Sequence, residues 1–284
     1  MEKTLLQTYY DGKNILEKHK IEIGKKEAMM LLEEVFNCSQ IEVLTYPHQI
    51  VLQNQYKEYM DKINRRIKKE PIQYIIGKQS FMDLEFKVNP FVLIPRQDTE
   101  TLVETVIEYT QHNKVNHVLD LCTGSGCIAI SLGYYTNINE IMAIDISQEA
   151  LEVAKENAIL NQVTGIEFIK SDLFQELGTH QTVDMIVSNP PYIPSLVIEE
   201  LMCDVKDYEP LLALDGKDDG LYFYKKIIKE GKQFLKKEGY IFFEIGYNQG
   251  KAVQECFELE GYDNIKIIKD LMGLDRIVCA RKPI

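Results

Sequence analysis

The chain has 284 residues, of which 45% are hydrophobic and 27% charged, a composition typical of a globular protein and not of a disordered or fibrous one. This length predicts one large domain or two smaller ones. The formal net charge of −12, from 32 basic and 44 acidic residues, argues against nonspecific binding along a nucleic-acid backbone.

The sequence carries no recognisable targeting or membrane signal. Residues 1–20 mix charged side chains with scattered Leu and Ile and lack the apolar core of a secretory signal. No apolar run approaches the roughly 20 residues that a membrane helix needs. The cysteines form no C-x-x-C pair and no zinc-binding pattern with His. We therefore expect a cytoplasmic protein with free thiols, no bound metal and no membrane association.

Residues 1–71 predict a small helical bundle. Apolar side chains recur there at helical spacing, and Pro71 ends the last helical stretch. That stretch is basic between Lys57 and Lys69, which is typical either of a solvated face or of a docking surface for an acidic or nucleic-acid-associated partner. Residues 72–100 predict a linker that contains a strand or hairpin, because apolar and polar side chains alternate from Phe81 to Val88.

Residues 101–284 alternate between strand-like and helix-like segments. Short apolar runs predict strands at 118–121, 141–144, 166–169, 185–187, 239–244, 265–268 and 276–280. Helical patterns between them lie at 127–135, 148–160, 222–235 and 249–259. Such alternation is typical of an α/β fold in which helices cover both faces of a mostly parallel sheet.

A glycine-rich turn follows the first of these strands and precedes a helix. It reads Asp120-Leu121-Cys122-Thr123-Gly124-Ser125-Gly126. Glycines let the backbone approach a ligand closely, and the start of the helix offers N–H groups, so the turn indicates a nucleoside-type ligand. Ala129 stands at the third glycine position of a dinucleotide-binding G-x-G-x-x-G pattern, which favours S-adenosylmethionine over NAD.

An acidic residue, Asp145, ends the second predicted strand of this region. An acid at this position can accept hydrogen bonds from the hydroxyls of a ribose. The alternative is a helix-capping role before Ser147.

The segment Ser188-Asn189-Pro190-Pro191-Tyr192 follows the fourth predicted strand and is unusual for a plain turn. Its two prolines stiffen the loop and remove two N–H donors. A planar amide or amine is a poor nucleophile because its lone pair is delocalised. The Asn189 carboxamide and the Pro190 carbonyl can accept its two N–H bonds and aim that lone pair at a methyl donor. Tyr192 can stack on the flat group, so we expect these three residues to be catalytic.

These motifs resemble the class I methyltransferases that modify planar nitrogens. More closely, the chain resembles the release factor glutamine methyltransferases, the PrmC/HemK family. The matching segments are 71–77, 93–100, the glycine turn, 145–147, 188–193, 208–210, 213–216, 219–221, 244–246 with Gln249, and 275–276. The helical N-terminal region fits the substrate-recognition domain of that family.

The resemblance implies an α/β fold of the class I S-adenosylmethionine-dependent methyltransferases, Rossmann-like, with a seven-stranded, mostly parallel sheet and an N-terminal α-helical bundle. It implies a helical substrate-recognition domain over 1–71, a hairpin and linker over 72–100 and a catalytic domain over 101–284. The implied reaction is methylation of the side-chain amide of the glutamine in the Gly-Gly-Gln motif of class 1 peptide chain release factors. S-adenosyl-L-methionine would be the methyl donor, and neither a membrane nor a direct nucleic-acid substrate is expected.

The resemblance also implies roles for single residues. The cofactor would contact Asp120, Cys122, Thr123, Gly124, Ser125, Gly126 and Asn189, with Asp145 at the ribose and Asp172 and Leu173 beside the adenine. The glutamine amide would contact Asn189, Pro190, Pro191 and Tyr192, with Leu93 and Arg96 in the wall of the pocket.

Two residues depart from the family pattern, Gln97 where Pro is usual and Cys122 where Gly is usual. The thiol of Cys122 would make the activity sensitive to oxidation if it were exposed. Asp98 is expected to cap a helix at 99–109, the alternative being a metal or acid–base role with Glu100 and Glu104.

Three other functions stay open at this point. They are glutamine methylation of a ribosomal protein, methylation of an exocyclic amine in a nucleic acid, and non-catalytic sensing of S-adenosylmethionine. The acidic net charge and the lack of a large basic recognition domain argue against the nucleic-acid substrate. The intact loop from Asn189 to Tyr192 argues against a sensor, which needs no amide-binding loop.

Overall fold

The two hydrophobic periodicities of the sequence predict a helical region followed by an α/β region. The computed structural model describes residues 2–178 and 182–284. In chain order the elements are β1 (Lys3–Thr4), α1 (Leu5–Lys18), α2 (Gly24–Phe36), α3 (Gln40–Thr45), β2 (Ile50–Val51), α4 (Gln53–Ile67), α5 (Ile72–Ile76), β3 (Lys78–Phe81), β4 (Leu84–Lys87), α6 (Gln97–His112), β5 (His117–Leu121), α7 (Cys127–Tyr135), β6 (Glu140–Asp145), α8 (Gln148–Leu160), β7 (Ile166–Lys170), β8 (Val183–Ser188), α9 (Ser195–Ile198), α10 (Cys203–Lys206), α11 (Leu211–Leu214), α12 (Tyr222–Phe234), β9 (Leu235–Glu244), α13 (Gly250–Leu259), β10 (Asp263–Lys269) and β11 (Asp275–Arg281).

The chain divides into two units. The first consists of Met1–Gly77 together with Cys203–Tyr208, and the second of Lys78–Met202 together with Glu209–Ile284. Within the stretch 72–100, helix α5 therefore belongs to the first unit and the hairpin β3–β4 to the second. Among the described residues, no helix is long and apolar enough to cross a membrane.

The first unit is a helical bundle, as predicted, with its core between α1, α2 and α4. Leu16, Leu31 and Tyr59 are fully buried there. Gly12 permits the close approach of Tyr59, since a Cβ at this glycine would lie 2.0 Å from the Tyr59 hydroxyl oxygen. That hydroxyl donates a hydrogen bond of 3.2 Å to the carbonyl of Ala28.

Part of the basic stretch in α4 serves the interior of the first unit. The Nε atom of Arg66 donates to the Oε2 atom of Glu27 at 2.8 Å, and both residues are buried. Arg65 pairs with Glu70 at the surface, with an Nε–Oε2 distance of 2.8 Å. The basic pattern is therefore in part a packing feature and does not form one continuous surface patch.

The second unit is built around a seven-stranded sheet in the order β10-β11-β9-β8-β5-β6-β7. Five neighbouring strands are parallel, namely β9, β8, β5, β6 and β7. Strand β11 is antiparallel to both of its neighbours, β10 and β9. Successive residues of a strand face opposite sides, so Val118 and Phe242 lie in one apolar cluster and Leu119 and Phe243 in another. The predicted α/β class and mostly parallel sheet are confirmed.

One buried side chain joins the hairpin β3–β4 to the glycine turn. Asn157 of α8 accepts the Lys87 N–H at 2.7 Å and donates to the Lys87 carbonyl at 3.1 Å. The same amide group donates to the carbonyl of Ser125 at 2.9 Å. Asn157 thus fixes the position of the turn that follows β5 with respect to α8.

Candidate active site

Four neighbouring strands bring polar residues to one edge of the sheet. Strands β6, β5, β8 and β9 are adjacent and parallel, so their carboxyl ends lie at the same edge. Asp145 ends β6, Cys122 follows β5, Asn189 follows β8, and Glu244 ends β9. Ligands of open α/β sheets bind outside this edge, so the topology gathers the predicted site residues where a ligand is expected.

Asp145 connects the glycine turn to the start of α8. Its Oδ2 atom accepts the N–H of Gly124 at 2.8 Å, and its Oδ1 atom accepts the N–H of Ser147 at 3.0 Å. Burial raises the pKa of the Asp145 carboxyl, and these hydrogen bonds oppose the rise. The side-chain cap of α8 is Ser147, which accepts the N–H of Ala150 at 3.1 Å, so the capping alternative for Asp145 is wrong. Each carboxylate oxygen has a second lone pair for a ligand hydroxyl.

The two glycines of the turn have different surroundings and therefore different structural roles. Gly124 has φ +55°, and a Cβ built on it would meet no atom within 4 Å, so the turn faces open space. Gly126 has φ +81°, and a Cβ there would lie 2.9 Å from Ile130 and 3.0 Å from Ala154. Gly126 therefore serves the packing of the turn on its own unit. The open space above Gly124, next to the carboxylate of Asp145, fits the ribose and the adjoining part of a nucleoside cofactor.

Asp120 lies beneath the turn and is fully buried. The hydroxyl of Thr123 donates to its Oδ2 atom at 2.6 Å. Burial raises the pKa of Asp120 to about 7, against the effect of hydrogen bonds from Thr123 and from the N–H of Ala129. These contacts anchor the turn from below.

Cys122 has a left-handed backbone conformation, with φ 61°. Burial raises the pKa of its thiol far above the usual range, and the carboxyl groups of Asp145 and Asp120 act in the same direction. Because the thiolate is the reactive form, the raised pKa predicts a low reactivity of this thiol at neutral pH. Cys122 is half-buried, so its raised pKa, rather than complete burial, disfavours oxidation.

Asp172 and Leu173 lie beside Asp145, just beyond β7. The N–H of Ser171 donates to the carbonyl of Asp145 at 3.0 Å. The Nζ atom of Lys226, from α12, lies 3.2 Å from the Oδ1 atom of Asp172. Leu173 is buried and has φ 54°. The two residues predicted to border an adenine therefore adjoin the residue predicted to hold the ribose.

The Asn-Pro-Pro-Tyr loop is held from several sides. Pro190 and Pro191 are buried, and the Asn189 amide donates to the hydroxyl oxygen of Thr99 at 3.2 Å. The carbonyl of Tyr192 accepts the Gln249 side-chain amide at 3.0 Å. Burial raises the pKa of the Tyr192 hydroxyl, which therefore stays protonated. The loop has the fixed geometry that orientation of a planar amide requires.

The segment that contains Leu93 and Arg96 is tied to a distant part of the second unit. The guanidinium of Arg96 pairs with the buried carboxylate of Glu209, which also accepts the N–H of Ile94 at 3.2 Å. Leu93 is half-buried, between these anchored residues. This pair could not be predicted from the sequence, because Arg96 and Glu209 are far apart in the chain.

The capping role expected for Asp98 is wrong. Helix α6 begins at Gln97 with Arg96 as its N-cap, and Asp98 lies in the first turn. The carboxylate of Asp98 instead lies 3.2 Å from the guanidinium of Arg276 on β11. No group of three or more His, Cys, Asp or Glu side chains in the described parts of the chain could hold a metal ion.

One buried acid at the site, Glu244, lies in the matching segment 244–246 but was not predicted as a site residue. Burial raises the pKa of its carboxyl to about 7, while hydrogen bonds from the side chains of Thr99 and Asn189 oppose the rise. The available signal was an acidic residue at the end of an otherwise apolar predicted strand.

Comparison with known proteins establishes the class first. The family model "Methyltransferase small domain" matches residues 97–203. A methyltransferase from Pyrococcus furiosus superposes with a TM-score of 0.52 at 19% identity over 82% of this chain and 100% of that chain. The 16S rRNA N2 G1207 methyltransferase of T. thermophilus, solved with AdoMet and guanosine, gives a TM-score of 0.51 at 14% identity over 72% and 49%. The chain has the Rossmann-like fold of this class of methyltransferases.

Sequence relatives define the family within this class. A release factor glutamine methyltransferase of Clostridium botulinum is 41% identical over 96% of this chain and 97% of its own length. Its counterpart in Thermodesulfovibrio yellowstonii is 40% identical over 93% and 95%. The family model "PrmC N-terminal domain" matches residues 8–77. This chain belongs to the release factor glutamine methyltransferase family, as the motifs predict.

Proposed function

We propose that this enzyme methylates the side-chain amide of the glutamine in the Gly-Gly-Gln motif of class 1 peptide chain release factors. The observation that carries the proposal is the anchored loop from Asn189 to Tyr192, which adjoins the glycine turn at one edge of the sheet. The relatives named release factor glutamine methyltransferase support the choice of substrate. A cytoplasmic location fits a substrate that acts in translation.

The glycine turn and the neighbouring strand ends would hold the cofactor. The methionine part would lie along Cys122–Gly126, above Asp120, with the ribose hydroxyls on the free lone pairs of Asp145. Asp172 and Leu173 would border the adenine. When bound, S-adenosylmethionine supplies a methyl group on a positively charged sulfur, which makes that methyl carbon electrophilic. No metal is required for this chemistry.

The Asn-Pro-Pro-Tyr loop would hold the glutamine amide. The Oδ1 atom of Asn189 and the carbonyl of Pro190 would accept the two N–H bonds of the amide. With both hydrogens fixed, the nitrogen lone pair faces the methyl carbon in line with the bond that breaks. Pro191 keeps the loop rigid, because its ring fixes φ and it has no N–H group. Tyr192 would pack on the planar amide.

The amide must lose one proton during the reaction, and the protein need not supply a base for this step. The amide nitrogen forms a bond to the methyl carbon and then loses one of its two hydrogens as a proton to solvent. A nitrogen that has lost amide resonance and carries a positive charge is strongly acidic, so the step needs no dedicated base. Leu93 would form part of the pocket wall, and Arg96 would hold that wall through its ion pair with Glu209.

We further propose that residues 1–71 act as the substrate-recognition domain, 72–100 as hairpin and linker, and 101–284 as the catalytic domain. The match of residues 8–77 to the "PrmC N-terminal domain" model supports a separate unit in the helical region. The acidic net charge of −12 favours a protein substrate over a nucleic acid.

Transfer of a labelled methyl group tests the proposal. The acceptors are a folded class 1 release factor, the same factor with its Gly-Gly-Gln glutamine changed to alanine, and total RNA with DNA. Label on the unaltered factor alone is the expected result. Label on nucleic acid alone, or equal label on both forms of the factor, would refute the proposed substrate.

A further inference from the structure

Glu244 lies directly behind the Asn-Pro-Pro-Tyr loop, and the reaction outlined above gives it no role. Ser188 of β8 pairs with Phe243 of β9, so the next residues of the two parallel strands, Asn189 and Glu244, are neighbours. Glu244 is 1% exposed, and its Oε2 atom has no hydrogen-bond partner among the residues that the structure describes. Burial of an acid with an unpartnered oxygen costs free energy, so its presence beside the amide-binding residue calls for an explanation.

The environment of Asn189 distinguishes the two ends of its carboxamide. The amide nitrogen donates to the Oγ1 atom of Thr99 at 3.2 Å. Polar contacts from Thr99 and Asn189 also lower the pKa of the nearby Glu244 carboxyl, against the effect of burial. An amide has two N–H bonds on one end and a carbonyl oxygen on the other, and only the oxygen can accept an N–H from a substrate. Acceptors behind Asn189 therefore favour the orientation that turns the oxygen away from Glu244.

We infer that Glu244, together with Thr99, is a positioning residue that fixes the Asn189 carboxamide with its nitrogen toward the protein and its oxygen toward the glutamine amide. This inference rests on the proposed function, because it explains how that function obtains its hydrogen-bond acceptor. In the flipped orientation the Oδ1 atom of Asn189 would face a carboxyl oxygen of Glu244. The N–H groups of the substrate amide would then meet the NH₂ donor of Asn189 and not an acceptor. Glu244 then acts through Asn189 and touches no reacting atom.

The protonation of Glu244 controls how strongly it orders the amide. An ionised carboxylate only accepts hydrogen bonds, whereas a protonated one also carries an O–H that can donate to a flipped amide oxygen. Burial raises the pKa of Glu244 to about 7. The charged and titratable groups that face it are Arg276, Asp98, Tyr192, Tyr224 and Cys127. Activity should therefore rise with pH through about 7 as the carboxylate forms.

Three variants test the inference. Glu244→Gln keeps the side-chain volume but replaces one acceptor oxygen by an NH₂ donor and abolishes ionisation. Thr99→Val keeps the side-chain shape but removes the hydroxyl acceptor, whereas Thr99→Ser retains that hydroxyl. We expect kcat to fall about 10- to 100-fold in Glu244→Gln and Thr99→Val, and to stay within about threefold of wild type in Thr99→Ser. The Kd for S-adenosylmethionine should stay within about twofold in all three, because the change concerns orientation of the acceptor.

The pH profile separates positioning from a merely structural effect. The acidic limb of kcat near pH 7 should be present in wild type and absent from Glu244→Gln. Wild-type kcat in Glu244→Gln, or an unchanged acidic limb, would overturn the inference. A fall in kcat matched by an equal loss of cofactor affinity would also overturn it, since that is the result of a disturbed fold.

A second readout needs no substrate and so separates this inference from the proposed function. In the ¹⁵N-labelled protein, the side-chain amide signal of Asn189, assigned by its loss in Asn189→Asp, should titrate with a midpoint near pH 7 and cease to do so in Glu244→Gln. An amide signal that is insensitive to pH and to this substitution would overturn the inference. Failure of release factor methylation by wild type, with the titration present, would refute the proposed function alone.

Discussion

The N–H of Gly124 donates a hydrogen bond of 2.8 Å to the Oδ2 atom of Asp145 and so joins the turn after β5 to the end of β6. The other carboxylate oxygen of Asp145 accepts the N–H of Ser147. One acidic side chain therefore shapes the turn that would hold the methionine part of the cofactor and offers lone pairs to its ribose. Cofactor binding should depend on Asp145 more than on other acids of the sheet.

Asp145→Ala should weaken S-adenosylmethionine binding about 10- to 100-fold, because charge-assisted hydrogen bonds contribute roughly 1.5–3 kcal/mol. Isothermal titration calorimetry measures the Kd. Asp263→Ala is the matched control. Asp263 lies on β10, the edge strand on the far side of the sheet from Asp145, and it pairs with Arg281. Equal affinities of wild type and Asp145→Ala would contradict the proposed role.

Cys122 should resist alkylation in the folded protein. Burial raises the pKa of its thiol, so the reactive thiolate is scarce even at pH 8. The exposed Cys203 serves as an internal control. Peptide mass spectrometry after brief iodoacetamide treatment should find Cys203 modified and Cys122 intact. Comparable modification of both, in protein that is still folded, would show that the thiol is accessible and ionised.

Asn157→Ala should destabilise the second unit by about 3 kcal/mol, since three hydrogen bonds to the hairpin and the glycine turn are lost in a buried place. Cofactor affinity should fall as well, because the Ser125 carbonyl loses its anchor. Asn161→Ala is the control, as Asn161 bonds the same hairpin, at Glu85, from an exposed position. Denaturant unfolding monitors stability, and similar losses in both variants would argue against a special role of Asn157.

Arg66→Ala should destabilise the first unit by about 3–5 kcal/mol, because it leaves the buried carboxylate of Glu27 without its partner. The Arg66 side chain is 10% exposed, whereas that of Arg65, which pairs with Glu70, is 45% exposed. Arg65→Ala should therefore cost no more than about 1 kcal/mol. Urea unfolding followed by circular dichroism compares the two. Equal costs would mean that the Glu27 carboxylate finds another partner or water.

Local patterns were sufficient to predict most of the fold. Helices α7 and α8 occupy the predicted ranges, because caps, apolar spacing and glycines all act within a few residues. Strands extend past their predicted ends, as where His117 pairs with Glu140, since backbone pairing continues through polar residues that an apolar run does not include. The pattern therefore places an element more accurately than it places its ends.

Contacts between distant residues explain what the sequence could not reveal. Asp98 looks like a helix cap from its neighbours alone, yet its carboxylate pairs with Arg276, from the far end of the chain. Arg96 likewise forms an ion pair with Glu209, which is distant in the chain. Glu244 ends an apolar strand, and only the register of β8 and β9 shows that it lies beside Asn189. Motifs identify candidate site residues from the sequence, whereas the residues that support those motifs depend on the three-dimensional arrangement.

The most direct test of the account is to locate the transferred methyl group. A class 1 release factor is incubated with S-adenosylmethionine and either wild type or Asn189→Ala, and peptide fragmentation then assigns the modified atom. We expect one methyl group on the side-chain amide of the Gly-Gly-Gln glutamine with wild type. With Asn189→Ala we expect at least a roughly 100-fold slower reaction at saturating cofactor. Methylation of any other residue by wild type, or an undiminished rate with Asn189→Ala, would contradict the account.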